Sequence, residues 1–278
     1  SSRILIVVDF NRNKAGEIPL FSYMNKKPLK ILIAGEASFI SSGYGTYQHK
    51  LLSRLSKNPN FNIAEFACYA GVNDPRDSVC NWRFYANAIG DKDPRITEYN
   101  KHPQNAFGRW RFDSVVAHFQ PDVVIDIRDF WMNSYQRISS FRNSFHWILM
   151  PTVDSTPQKE DWLDVYMDCD AIFTYSDWAR DVLLKQTSNQ IKYIDTCSPG
   201  YDEGFLEFVS SKKVLNNRQQ LGIPEDINII GTVMRNQKRK LFAELIRDFR
   251  LLLEDEVDPV IVSTALCPIL LPAPNATP

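Results

Sequence analysis

The chain has 278 residues, 44% of them hydrophobic, and 33 acidic against 32 basic residues give a formal net charge of -1. That is the composition of a globular protein with one large or two modest domains. It gives no support for general nucleic-acid binding, and no apolar run is long enough for a membrane-spanning helix.

Arg3-Ile-Leu-Ile-Val-Val8 predicts a strand, and a polar segment with Gly16, Pro19 and Pro28 follows. Residues 1–28 are therefore read as a leader or the remnant of a preceding module. The chain opens without a charged region followed by an apolar one, so no secretory signal is expected. Leu29–Ala34 predicts a buried strand running into a loop over residues 35–45. A helix follows, with Tyr47, Leu51, Leu52 and Leu55 on one face. Ile63–Ala70 predicts a second strand. Residues 71–107, rich in Asn, Asp, Pro and aromatics, read as long loops with short pieces of structure.

A helix is expected over residues 108–119, presenting Trp110, Val115, Val116 and Phe119 and ended by Pro121. Strands are expected at Asp122–Asp126, Phe145–Met150 and Asp170–Thr174. Ser176 suits the N-cap of a helix reaching about Lys185. Ile191–Asp195 is a further strand, followed by the turn Ser198-Pro-Gly200. A polar connection over about 201–226 leads to a last unit: a strand at Ile227–Val233, the basic loop Met234–Arg239 and an amphipathic helix from Lys240 to Leu253.

Strands alternating with helices at this spacing imply an α/β fold, a Rossmann-like parallel sheet with helices on both faces. Ligands of such sheets lie beyond the carboxyl ends of the strands, so the loops after strands carry most weight. The expected division is a domain over 29–205, a linker over 206–226 and a second domain starting at 227.

Five cysteines (Cys68, Cys80, Cys169, Cys197 and Cys267) are scattered without a C-x-x-C pair, which favours buried thiols in a reduced, cytoplasmic protein. His49, His102, His118 and His146 lack metal-ligand spacing; no metal is expected.

Four constellations stand after predicted strands. In Ser41-Ser-Gly-Tyr-Gly-Thr46, Gly43 and Gly45 allow close backbone approach, and the following helix offers its N-terminus to an anion. Gln48 replaces the third glycine of a dinucleotide fingerprint, and no Gly-Lys-Ser/Thr follows, so neither that fingerprint nor a P-loop is present. A tight strand–helix turn without a ligand explains the segment equally well. Asp126-Ile-Arg-Asp129 puts Arg128 and Asp129 at a strand end, either as a cleft wall for a polar substrate or as a surface ion pair. Pro151-Thr-Val-Asp-Ser-Thr-Pro157 offers Asp154 to accept a proton or bind sugar hydroxyls, although Asp and Ser between prolines are also common turn formers. Arg235 and Lys240, between a strand and a helix, can neutralise a diphosphate.

Over about residues 29–254 these features together resemble the retaining GT-B glycosyltransferases, in particular family 4. Phe173-Thr-Tyr-Ser-Asp-Trp-Ala-Arg180 is similar to that family's strand–Ser–helix segment. Ser198-Pro-Gly-Tyr-Asp202 is similar to the turn before the crossing to the second domain, and Gly231-Thr-Val-Met-Arg-Asn-Gln-Lys-Arg-Lys240 to the opening of the donor domain. The resemblance implies an acceptor-side N-terminal domain and transfer of a sugar, with retention and without a metal or cofactor, from a UDP- or GDP-type nucleotide-sugar. Arg235, Lys240, Gly43 and Gly45 would bind the donor diphosphate and stabilise the charge that develops on it in a closed cleft. Arg128 and Asp129 would bind the acceptor (glycan, lipid or small molecule), and Asp154 is the catalytic candidate. Membrane-surface acceptors are common for such enzymes, so peripheral membrane contact stays open, although no basic amphipathic anchor is found. No oligomeric state is implied.

The pattern departs from the family in three places. Leu241 stands where a glycine is common, and Pro151-Thr-Val-Asp154 where many relatives carry a histidine. The proline-rich stretch Cys267–Pro278 does not resemble the rest of a donor domain with its Glu-x7-Glu element, so an incomplete donor domain is expected. The alternative is a non-catalytic fragment that binds only an acceptor or a nucleotide. A single-Rossmann epimerase with a Tyr-x-x-x-Lys pair fits least, because Tyr99-Asn-Lys101 has the wrong spacing.

Overall fold

The computed structural model describes residues 27–200, 209–226, 228–234, 238–254 and 260–266. The expected strand at residues 3–8, Arg235 and the tail from Cys267 lie outside them. The first strand, β1 (Leu29–Glu36), is buried from Ile31 to Gly35, as an unbroken apolar run requires when both sheet faces are covered. Helix α1 (Gly43–Leu55) follows, then β2 (Phe61–Gly71), β3 (Arg83–Ala88), α2 (Ile96–Asn100), α3 (Phe112–Phe119) and β4 (Val123–Asp126). The succession continues with α4 (Phe130–Asn133), β5 (His146–Leu149), α5 (Glu160–Asp168), β6 (Ala171–Thr174), α6 (Asp177–Gln186) and β7 (Ile194–Thr196).

These strands form one seven-stranded sheet in the order β3-β2-β1-β4-β5-β6-β7, and every pairing is parallel. The Rossmann-like α/β fold is therefore present. Alternate residues of β1 feed opposite faces. Leu32 and Ala34 join a core with Phe112, Val115 and Phe119 of α3, Val165 of α5 and Leu183 of α6. Ile31 and Ile33 join a second core with Leu52 of α1, and Tyr47, Leu51 and Leu55 pack against it as the helical spacing predicts.

A second parallel pair, β8 (Asn228–Met234) and β9 (Val260–Leu266), is joined through α8 (Phe242–Glu254), which makes a β-α-β unit. β9 was not anticipated. The polar connection before β8 contains an unexpected helix, α7 (Ser211–Gln220), whose N-cap Ser210 accepts from the Lys213 amide. Ser176 caps α6 as expected, accepting from the Ala179 amide at 3.2 Å.

The stretch 71–107, read as long loops with short pieces of structure, carries such pieces. It contains β3, α2 and two 3-10 turns, Pro75–Val79 and Pro103–Phe107. The helix expected from residue 108 begins at Phe112, because Gly108 turns left-handed at φ 115°, and a Cβ there would meet Phe66 and the Tyr135 hydroxyl at 2.5 Å.

The principal polar element of the core is Asp126, at the end of β4 and fully buried. Its carboxylate receives the Arg128 guanidinium through Nε at 2.8 Å and also through Nη2, the Gln136 amide at 2.5 Å and the Trp147 indole at 2.9 Å. Arg128 is buried as well and donates to the Phe107 carbonyl and, at 3.3 Å, to Cys68 Sγ. Burial works against the guanidinium charge, but Asp126 outweighs it and holds Arg128 ionised well beyond its ordinary range. The surface pair of Arg128 with Asp129 is thus not formed: Arg128 turns inward to Asp126 two residues back.

Removing one member of a buried ion pair leaves the other unpaired and costs about 3–5 kcal/mol. Asp126→Ala is therefore expected to lower the unfolding free energy by about that much in urea denaturation. Asp154→Ala, at an exposed position, should change it by less than about 0.5 kcal/mol.

Candidate functional site

In the strand order, β1 lies between β2 and β4, so the chain leaves β1 to one side and β4 to the other. A crevice opens at such a switch point, beyond the carboxyl ends of the two strands. Three predicted segments converge there: the start of α1 after β1, Asp129 after β4 and the Thr152–Asp154 loop after β5.

The contact that joins them is made by Tyr44. Its hydroxyl donates to Asp129 Oδ1 at 2.8 Å and lies 2.8 Å from Thr152 Oγ1. Asp129 is half-buried, and its carboxyl is raised above the ordinary value. Burial is the main cause and the Asp154 charge adds to it, while hydrogen bonding from Tyr44 and the Trp131 indole works the other way. Asp154 is exposed at the rim. Burial in turn pushes the Tyr44 phenol well above its usual value, so it stays a neutral donor. Tyr44 and Thr152 were not singled out in the sequence; Tyr44, between Gly43 and Gly45, carried the one available signal.

The glycine segment proves to be the first turn of α1. Ser42 is its N-cap and accepts from the Gly45 amide at 2.9 Å, and Ser42 in turn donates to Glu36. The Thr46 amide goes to the Ser42 carbonyl. Of the four amides that a helix N-terminus leaves without intrahelical acceptors, those of Gly43 and Tyr44 have no acceptor among the described residues. Gly45 is needed sterically, since a Cβ would lie 2.4 Å from the Ile40 carbonyl, whereas at Gly43 it would meet nothing within 4 Å. The two glycines expected to act alike therefore differ: Gly45 shapes the turn, and Gly43 has room for a side chain.

The loop leading into α1 is itself anchored. Glu65 of β2 is fully buried and accepts from the Ser38 amide at 2.7 Å, the Ser38 hydroxyl at 2.9 Å, the Gln48 amide at 3.1 Å and the Trp82 indole at 2.7 Å.

Arg128, expected at an acceptor surface, has no exposed surface and supports the β4 end from below. Lys240 is exposed at the end of a 3-10 turn, Lys238–Lys240, just before α8. Leu241, which follows it, has φ 53°, the left-handed region that favours glycine. His146 is at the exposed start of β5, the opposite end from the Asp129 loops. Among the described residues no three His, Cys, Asp or Glu side chains gather as a metal site, Cys68, Cys80, Cys169 and Cys197 are free thiols, and no helix is long and apolar enough to cross a membrane.

No family model and no curated protein matches the chain. Solved structures do. HepE of Anabaena, in complex with UDP-glucose, aligns at TM-score 0.60 and 13% identity over 87% of this chain and 62% of its own. The lipopolysaccharide outer core galactosyltransferase WaaB aligns at 0.52 and 14% over 85% and 60%. A Listeria monocytogenes protein assigned as a UDP-N-acetylglucosamine 2-epimerase aligns at 0.52 and 16% over 88% and 64%. The chain thus spans less than two thirds of the length of these proteins. At such identities the likeness is one of fold, and it supports the GT-B-like Rossmann architecture.

Two outcomes follow for the site. In a carboxyl NMR titration, Tyr44→Phe removes a donor to the ionised form, so the Asp129 pKa should rise; Asp154→Asn removes a like charge, so it should fall. In thermal denaturation, Gly45→Ala should destabilise by about 1–3 kcal/mol, while Gly43→Ala should be neutral or stabilise by up to about 1 kcal/mol.

Proposed function

We propose that the protein is a glycosyltransferase that takes a UDP- or GDP-type nucleotide-sugar and transfers its sugar, with retention and without a metal, to a hydroxyl of an acceptor. The observation that carries this reading is the Tyr44–Asp129–Thr152 contact at the switch point, on a fold shared with HepE, whose structure holds UDP-glucose.

In this reading Asp129 accepts the hydrogen bond of the acceptor hydroxyl. Its raised pKa suits a group that takes a proton as that oxygen attacks. Asp154, at the rim of the same crevice, binds a neighbouring hydroxyl or shares the proton. Departure of the nucleoside diphosphate develops negative charge on phosphate. The Gly43 and Tyr44 amides, with the N-terminal dipole of α1, supply one counter-field. Arg235 and Lys240 supply a second, brought to it when the two sheets close on the donor. Arg128 acts indirectly, by fixing Asp126 and so the β4 end on which Asp129 stands.

A second reading is binding of nucleotide or acceptor without transfer, for which the first sheet alone provides a site. Isothermal titration of the full chain with UDP, GDP and their glucose conjugates tests the donor assignment. Saturable binding weakened at least about tenfold, or ~1.4 kcal/mol, by Arg235→Ala and by Lys240→Ala is expected. Absence of binding, or binding indifferent to both substitutions, rules out the assignment. Sugar release from the bound donor onto an added acceptor separates transfer from binding alone.

A further inference from the structure

On leaving Asp129 the chain enters α4, and beside α4 lies a groove of about 670 Å³, walled by α4, the 3-10 turn Ser134–Ile138 and α5. Small-molecule sites fall within about 300–1,000 Å³. The lining combines two kinds of surface. One is aromatic: Trp131 is 48% exposed, and Trp162 packs against Phe130 with ring centroids 4.3 Å apart and the planes tilted by 32°. The other is polar. The Gln104 amide donates to Ser134 Oγ at 2.6 Å and to the Trp131 carbonyl at 3.1 Å, which holds that wall in place. Asp161, exposed in the first turn of α5, has no hydrogen-bond or ion-pair partner among the described residues. Trp131 links the groove to the site described above, because it lines the groove and also interacts with the Asp129 carboxylate.

This lining selects among ligand classes. A lipid chain needs a lining without unpaired carboxylates, and burying Asp161 against it would be costly. A phosphorylated ligand would bring its charge towards Asp161 and Asp168, of which only Asp168 carries a cation partner, Arg137. A neutral carbohydrate matches both surfaces: the C–H face of a pyranose packs against an indole ring, and its hydroxyls donate to a carboxylate and to amide or hydroxyl oxygens. The geometry points to a binding subsite for the non-reacting residues of a neutral glycan, laid along α4 and α5 with its end at Asp129. That the glycan is the acceptor rests on the function proposed above; that the groove binds a glycan does not.

Isothermal titration of the full chain with cellotriose, maltotriose and chitotriose, each with and without UDP-glucose, tests this. At least one trisaccharide should bind saturably to the unmodified chain. Trp131→Ala should weaken it at least about tenfold and Asp161→Asn several-fold, with far-UV circular dichroism unchanged and UDP affinity retained. Asp161→Asn is remote from Asp129 in sequence and on the exposed rim, so it reads the groove even where Trp131→Ala disturbs Asp129. Absence of binding by all three sugars, binding that neither substitution weakens, or displacement of the sugar by dodecyl maltoside but not by maltose, which would mark an alkyl-chain site, overturns the proposal. Glycan binding without UDP binding removes the donor assignment and leaves the groove standing; UDP binding without glycan binding does the reverse.

Discussion

A single buried carboxylate sets the conditions for the rest of the first sheet. Asp126 closes β4 at zero exposure, and a charge in that place is tolerated only with its lone pairs engaged. The groups that engage it come from separate segments: Arg128 just beyond β4, Gln136 after α4 and Trp147 within β5. Each is drawn inward, and each brings its own chain with it. Arg128 extends the effect to the Phe107 carbonyl, so the stretch between β3 and α3 is tied to the same point. The end of β4 is in consequence rigid where the switch-point crevice begins.

The site depends on this rigidity through a division of labour within four residues. Asp126 and Arg128 face the interior and neutralise each other. Asp129, one residue on, emerges half-buried, and Arg128 is committed to Asp126 instead. The raised carboxyl at the crevice follows from its own burial, with the Asp154 charge adding to it. Tyr44 then spans from α1 to both neighbouring loops with one hydroxyl, a geometry available only because the strand order sets β1 beside β4.

Much of the architecture was legible in the residues. Uninterrupted apolar runs such as Leu29–Ala34 require cover on both faces, and the 3.6-residue spacing of Tyr47, Leu51 and Leu55 set one face of α1. Both follow from local pattern, and both hold. β3 escaped because Arg83–Ala88 pairs on only one side, with a register shift near Gly71, and edge strands show little patterning. α7 escaped because its burial-poor sequence, Ser211–Gln220, has no apolar stripe to read. Loop position placed Asp129 and Asp154 after the strands they do follow, since proximity to a strand end survives in the sequence. The direction of Arg128 did not: an arginine between two aspartates looks the same whether it pairs forward or backward, and only the burial of Asp126 decides. Tyr44 depended on a contact 85 residues distant, which no local signal records.

The anchoring of Glu65 has a consequence for how the crevice meets a ligand. Its carboxylate gathers Ser38, Gln48 and Trp82, so the turn between β1 and α1 is held by contacts within the fold itself. Immobilising a flexible loop at the moment of association consumes free energy that would otherwise appear as affinity. Here that ordering belongs to the folding reaction, so the first turn of α1 is set before any association. The half of the crevice built on α1 is in this sense a template, and any adjustment to fit must come from the opposite side.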